Sequence, residues 1–130
     1  MFKYGENHDF KQVLEHTPFH VRLEELSLMK SWSSWNGYKT ARVFDTLAAE
    51  YFAFRSSCSV MDMTPMEKYR IKGPDAVKYL NRLVTRDVSK LKPNRVTYVV
   101  WCNDDGRVID DGTIFHLGED GYRLCSQHHQ

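Results

Sequence analysis

The chain has 130 residues, 42% of them hydrophobic and 27% charged, with a formal net charge of +1, the make-up of an ordinary globular protein able to bury about two thirds of its unfolded surface. So balanced a charge excludes nucleic-acid or anionic-membrane binding driven by bulk electrostatics, and leaves any anionic ligand to local groups. No stretch approaches the roughly 18 apolar residues of a membrane span, and the N-terminus lacks the apolar segment of a signal peptide, so a cytoplasmic protein is expected.

Residues 1–16 read as a polar N-terminal extension with room for one short helix around Asp9 to Glu15. Thr17-Pro18 then has the form of a helix start, Thr as N-cap and Pro at the first helical position, with Phe19, Leu23 and Leu26 as its apolar stripe. From Ser31 to Phe44, Trp32, Trp35 and Tyr38 lie among Ser, Asn and Gly, which reads as an aromatic loop that covers a core edge or lines a ligand. With Asp45 or Thr46 as cap, Leu47, Tyr51, Phe54 and Cys58 recur at the spacing of an amphipathic helix. Ser59 to Met63 is expected to be a short strand broken by Thr64-Pro65.

Tyr69 and Ile71 alternate with Lys68, Arg70 and Lys72, a half-exposed strand ending at Gly73. Pro74-Asp75 opens a further helix whose apolar stripe is Ala76 or Val77, Leu80, Leu83 and Val84. After a polar connection from Arg86 to Asn94, two apolar runs flank Asn103, Asp104, Asp105 and Gly106, a strong hairpin signal. A last strand is expected over Tyr122 to Ser126. The fold class is therefore α+β, an antiparallel-rich sheet with helices on one face, arranged as a partial ferredoxin-like (split βαβ) unit.

The second hairpin strand carries two adjacent carboxylates, Asp110 and Asp111, in its apolar run. Side chains alternate along a strand, so the two point to opposite faces, and one is expected in a partly desolvated place. A carboxylate there costs several kcal/mol unless a partner or ligand satisfies it. Periodicity does not choose between the two acids. Backbone amides or Arg70, Arg95 and Arg107 are one set of partners; a ligand is the other. Cys58, Cys102 and Cys125 are widely spaced and read as buried free thiols. His128-His129 face opposite ways on an extended segment with no third ligand nearby, His8, His16, His20 and His116 have no catalytic spacing, and no metal site is expected.

From about Thr17 onward the sequence resembles the N-terminal part of the aminomethyltransferase family. That family comprises the glycine cleavage T-protein and its tetrahydrofolate-dependent methyltransferase relatives, dimethylsulfoniopropionate and aryl-ether demethylases among them. The resemblance is carried by Thr17-Pro18-Phe19, Glu50-Tyr51 with Arg55, Val60-Met61-Asp62, Ile71 to Ala76, Leu80 to Val88, Tyr98, and Asn103 to Asp111. It implies that residues 17–130 are the N-terminal part of a folate-binding domain, truncated relative to a longer enzyme. It implies transfer of an aminomethyl or methyl group from a small donor to tetrahydrofolate, with Asp111 near the reacting folate nitrogens and folate contacts from Met66, Tyr98 and Gln127. Gln127 stands where many members have asparagine. Glycine-processing members read Asp-Val-Ser-His-Met-Gly where this chain reads Asp62-Met63-Thr64-Pro65-Met66-Glu67, so the donor stays open. The alternatives within the family are a non-catalytic folate-binding module and a structural remnant that self-associates. Partners are thus folate, the donor, and a missing C-terminal portion or a second copy.

Overall fold

The computed structural model describes residues 13–127. The chain divides into two compact units, residues 1–65 and 66–130.

The first unit contains β1 (Glu15–His16), α1 (His20–Leu26), β2 (Ser31–Trp35), β3 (Tyr38–Val43) and α2 (Leu47–Ser56). Most of the short helix expected around Asp9 to Glu15 lies outside the described residues, and Glu15 itself is in β1, which pairs parallel with β3. The expected aromatic loop is instead a hairpin. Trp35 and Tyr38 pair across Asn36-Gly37, and both turn residues have positive φ, +48° and +80°, the conformation whose twist matches that of paired strands. The Asn36 side chain donates to the Pro65 carbonyl at 2.8 Å and so ties the turn to the end of the unit.

The helix expected from Thr17-Pro18 begins two residues later. Pro18 and Phe19 form a turn in which the His20 amide donates to the Thr17 carbonyl at 3.0 Å, and α1 starts at His20. Its expected apolar stripe is not the buried face: Phe19 and Leu26 are exposed, and the residue that α1 buries is His20. In α2 the expected cap holds, Thr46 Oγ1 accepting from the Ala49 amide at 3.2 Å, while Glu50 reaches back to the Asp45 amide at 3.2 Å. The cap satisfies an amide that a helix start leaves without an intrahelical partner, and the acid ties the residue before the cap to the first turn. Ser59 to Met63 forms no strand. Asp62 accepts instead from the Thr64 amide at 2.9 Å, a side-chain turn that leads into buried Pro65.

The second unit contains β4 (Glu67–Ile71), α3 (Ala76–Leu83), β5 (Val96–Cys102), β6 (Val108–His116) and β7 (Tyr122–Ser126). Its sheet is antiparallel throughout, in the order β4-β7-β6-β5, so α3 connects the two edge strands and β7 and β6 lie between them. The core is Ala76, Leu80 and Val84 of the helix and its end, Val88 of the following connection, and Val99, Ile114, Tyr122 and Leu124 of the sheet. Burying side chains such as Leu80 and Ile114 stabilises by about 1.5–3 kcal/mol each. The connection from Arg86 to Asn94, polar by sequence, inserts Val88 into that core on a short 3-10 turn, its amide held by Asn81 Oδ1 at 2.6 Å.

The β5–β6 turn closes as Asn103 Oδ1 accepts from the Asp105 and Arg107 amides at 3.1 and 2.9 Å. Gly106 takes φ +76°, and the register slips by one residue between Trp101 and Cys102, the bulged form of a longer hairpin loop. Strands β6 and β7 approach closely at Gly112, where an added Cβ would lie 2.1 Å from the Cys125 carbonyl oxygen.

Candidate functional site

The two faces of the second sheet differ in what covers them. Alternation puts Val99, Ile114, Tyr122 and Leu124 under α3. The other face carries Val96, Tyr98, Asp111 and Phe115, all exposed, with Arg123 and Cys125 on β7. The paired acids of β6 divide between the faces as alternation requires.

Asp110 is the desolvated one, 8% exposed. It sits opposite Trp101, and its Oδ1 accepts from the Asp111 amide at 2.7 Å, a main-chain partner of the kind that makes a buried carboxylate tolerable. A groove of about 600 Å³ runs beside it, lined by Tyr69, Tyr79, Leu83, Trp101 and Ser126, with Arg70 and Gln127 also bordering it.

Asp111 is exposed, on the face of the sheet opposite to that of Asp110. Its Oδ2 accepts a hydrogen bond from the Tyr98 hydroxyl on the neighbouring strand. Tyr98 lies opposite Thr113, two residues along β6 from Asp111, a diagonal within reach of a phenol. The bond holds the Tyr98 phenol above its ordinary pKa, with partial burial and the charges of Asp111 and Asp110 acting in the same direction. One carboxylate oxygen is thereby oriented by a neutral donor, and a ligand N–H has the other oxygen to address.

The other expected folate contacts are spread out. Met66 is half-buried at the start of the second unit, its carbonyl accepting from Lys68 Nζ at 2.8 Å. Gln127, just past β7, is exposed and borders the groove on the Asp110 side. Tyr98 and Asp111 are thus brought together, and no bond joins Met66 or Gln127 to that pair among the contacts described. The three cysteines are free, but Cys58 is exposed and Cys102 and Cys125 half-buried, so burial was the wrong expectation. His128 and His129 lie outside the described residues, among which no group of three or more His, Cys, Asp or Glu is placed to hold a metal ion. No helix of the described residues is long and apolar enough to cross a membrane.

One cluster has no single sequence signal. His20, 2% exposed, stacks on His16 at 3.7 Å between ring centroids and tilts against Trp32 at 4.9 Å. Lys39 Nζ lies 4.8 Å over the Trp32 ring. Neither His20 ring nitrogen nor Thr17 Oγ1 has a hydrogen-bond partner. The groups come from three strands and a helix, and only their folding together makes the cluster visible.

Residues 7–130 match the family described as the GCVT N-terminal domain. Trimethylamine-oxide aldolase of Ruegeria pomeroyi is 32% identical over 114 residues, which span 86% of this chain and 14% of that protein. An aminomethyltransferase of Halothermothrix orenii is 33% identical over 90 residues, 69% of this chain and 25% of that one. The crystal structure of the glycine cleavage system aminomethyltransferase T from Bartonella henselae shares the fold with a TM-score of 0.77 at 20% identity, over 88% of this chain and 32% of its own. The chain therefore spans less than a third of the length of each of these relatives. With the family description matching nearly all of it, the chain belongs to the GCVT family of aminomethyltransferases and matches the N-terminal part of its members.

Proposed function

We propose that this chain supplies the folate-facing sheet of a tetrahydrofolate-dependent transferase that moves an aminomethyl or methyl group from a small donor to the cofactor. The observation that carries this is the Tyr98 to Asp111 hydrogen bond on the uncovered face of the second sheet. A carboxylate fixed by a neutral phenol, on a surface that also carries Val96 and Phe115, fits a flat heterocycle with N–H groups at its edge.

Tetrahydrofolate, when bound, supplies the nitrogen that receives the one-carbon unit. Asp111 would accept a hydrogen bond from that region of the cofactor, orient it, and offset positive charge there. Tyr98 keeps the carboxylate in one rotamer, so little reorganisation is left for the reacting complex. Met66 and Gln127 are assigned to flanking contacts. Asp110, bonded to its own main chain, has a structural role. Two relatives are named for trimethylamine oxide and for an aminomethyl group, which supports a donor whose one-carbon unit is attached to nitrogen.

Titration of the 130-residue chain with tetrahydrofolate, followed by tryptophan fluorescence, tests the assignment. Weak saturable binding is expected for the wild type and its loss in Asp111→Ala; equal behaviour of the two proteins removes Asp111 from the site. A second reading, a self-associating module indifferent to folate, is favoured by α2, where Leu47, Tyr51, Phe52 and Phe54 are all exposed. It predicts concentration-dependent dimers in sedimentation, identical for wild type and Asp111→Ala.

A further inference from the structure

The groove beside Asp110 has a chemistry that one-carbon transfer at Asp111 does not use. Asp110 and Trp101 stand directly opposite each other on β6 and β5, and both border the groove. Side chains of such a cross-strand pair have Cβ atoms about 4.5–5.5 Å apart, so a carboxylate and an indole form one wall together. Tyr79 and Leu83, one turn apart on α3, border the groove from the helix side, and Tyr69 borders it from β4. Arg70 also borders it, but as the partner of Arg123 it alternates with Tyr69 and Ile71, which turns its side chain to the other face.

Trp101, Tyr69 and Tyr79 stack on no other ring among the described residues. Trp101 is half-buried, and the two tyrosines are 50% and 56% exposed. Aromatic surface left open around a groove marks a place where a ligand docks, and about 600 Å³ is the volume of a small-molecule site. Asp110 decides the sign of that ligand. Its Oδ1 bond to the Asp111 amide makes burial tolerable and leaves the negative charge in place, so the wall repels an anion and attracts a cation. The faces of the rings favour a cation as well. They also select among cations. An ammonium that carries N–H groups gives up hydrogen bonds to water that rings do not replace, whereas methyl groups on nitrogen spread the charge over apolar surface and need no acceptor.

We propose that this groove is a binding site for a small quaternary ammonium compound. The methylated nitrogen sits against Trp101 and Tyr79, Asp110 balances its charge, and the rest of the ligand runs toward Tyr69. The site lies on the face of β6 opposite to Asp111, so it is separate from the folate assignment and does not rest on it.

Choline and its neutral isostere, in which a quaternary carbon replaces the nitrogen, test the proposal on the 130-residue chain by NMR. Choline should bind the wild type saturably, with its N-methyl resonance moved upfield by the ring currents and the Trp101 indole N–H resonance shifted. It should bind about tenfold tighter than the isostere. Tyr79→Leu should weaken choline about fivefold, and Tyr79→Phe should keep wild-type affinity, because the ring and not the hydroxyl makes the contact. Asp110→Asn should bring choline and the isostere to nearly equal affinity. The Tyr79 side chain is more than half exposed, so the urea midpoints of its two variants should match the wild type, which keeps lost binding distinct from lost folding. The absence of an upfield shift in the wild type, equal binding of the isostere, or undiminished choline binding by Tyr79→Leu overturns the proposal. Asp111→Ala should bind choline as the wild type does; a loss there puts the ligand on the other face and overturns the site, while leaving the folate assignment standing.

Discussion

The two units hold their secondary structure by different means. In the second, eight apolar side chains from α3, the 3-10 turn and the sheet bury one another. In the first, the buried residues among those described are Thr17, His20, Ser27 and Pro65, while Phe19, Leu28, Leu47, Phe52 and Phe54 stay exposed. Its elements are secured by local devices: the Asn36-Gly37 turn, the Thr46 cap and the Asn36 bond to Pro65. Regular backbone hydrogen bonding does not require a buried apolar core close by, but cooperative stability does. The comparison predicts that truncations in the second unit are costly and that truncations on the apolar surface of the first are nearly silent.

The sharpest way to break the second unit is Gly112→Ala. The added Cβ meets backbone on β7, not the movable end of a side chain, so the variant should lose the β6–β7 pairing and fail to give a cooperative urea transition. Leu80→Ala comes next, with a loss of about 2–5 kcal/mol expected from a fully buried leucine, against a change within about 0.5 kcal/mol for Leu47→Ala, 77% exposed on α2. Equal losses at the two leucines would erase the contrast between the units. Thr46→Ala should cost about 1 kcal/mol, the usual worth of a side-chain N-cap, visible as earlier melting of α2 by circular dichroism.

Acid separates the units in another way. Burial, followed by the nearby charges of His16 and Lys39, holds His20 below the ordinary histidine pKa, with Glu24 acting in the opposite direction. The unfolded chain therefore takes up the proton first, and the first unit should lose stability as pH falls below about 6.5 until the folded-state imidazole itself titrates. Urea midpoints read through tryptophan emission should fall over that window in the wild type and stay level in His20→Phe. The smallest effect is spectroscopic: Tyr98→Phe should leave stability nearly unchanged and remove one late-titrating phenol from the alkaline ultraviolet titration. A wild type in which every tyrosine titrates together would deny the bond to Asp111.

Sequence alone determined whatever depends on local rules and strict periodicity. The Asn103 to Gly106 hairpin, the Pro74-Asp75 helix with Leu80 on its buried stripe, a cap at Asp45 or Thr46, and the assignment of Asp110 and Asp111 to opposite faces all follow from neighbours a few residues apart. The Asn36-Gly37 turn is of the same local kind, although the aromatic residues around it read as a loop. Tertiary structure decided what local pattern leaves free. Which face of β6 α3 would cover depends on strand order, and that choice buried Asp110 and left Asp111 on the open side with Tyr98. The insertion of Val88 into the core and the stack of His20 on His16 and Trp32 each join residues from separate elements. Such contacts are set by packing and register, and a side chain's own neighbours in the chain carry no record of them.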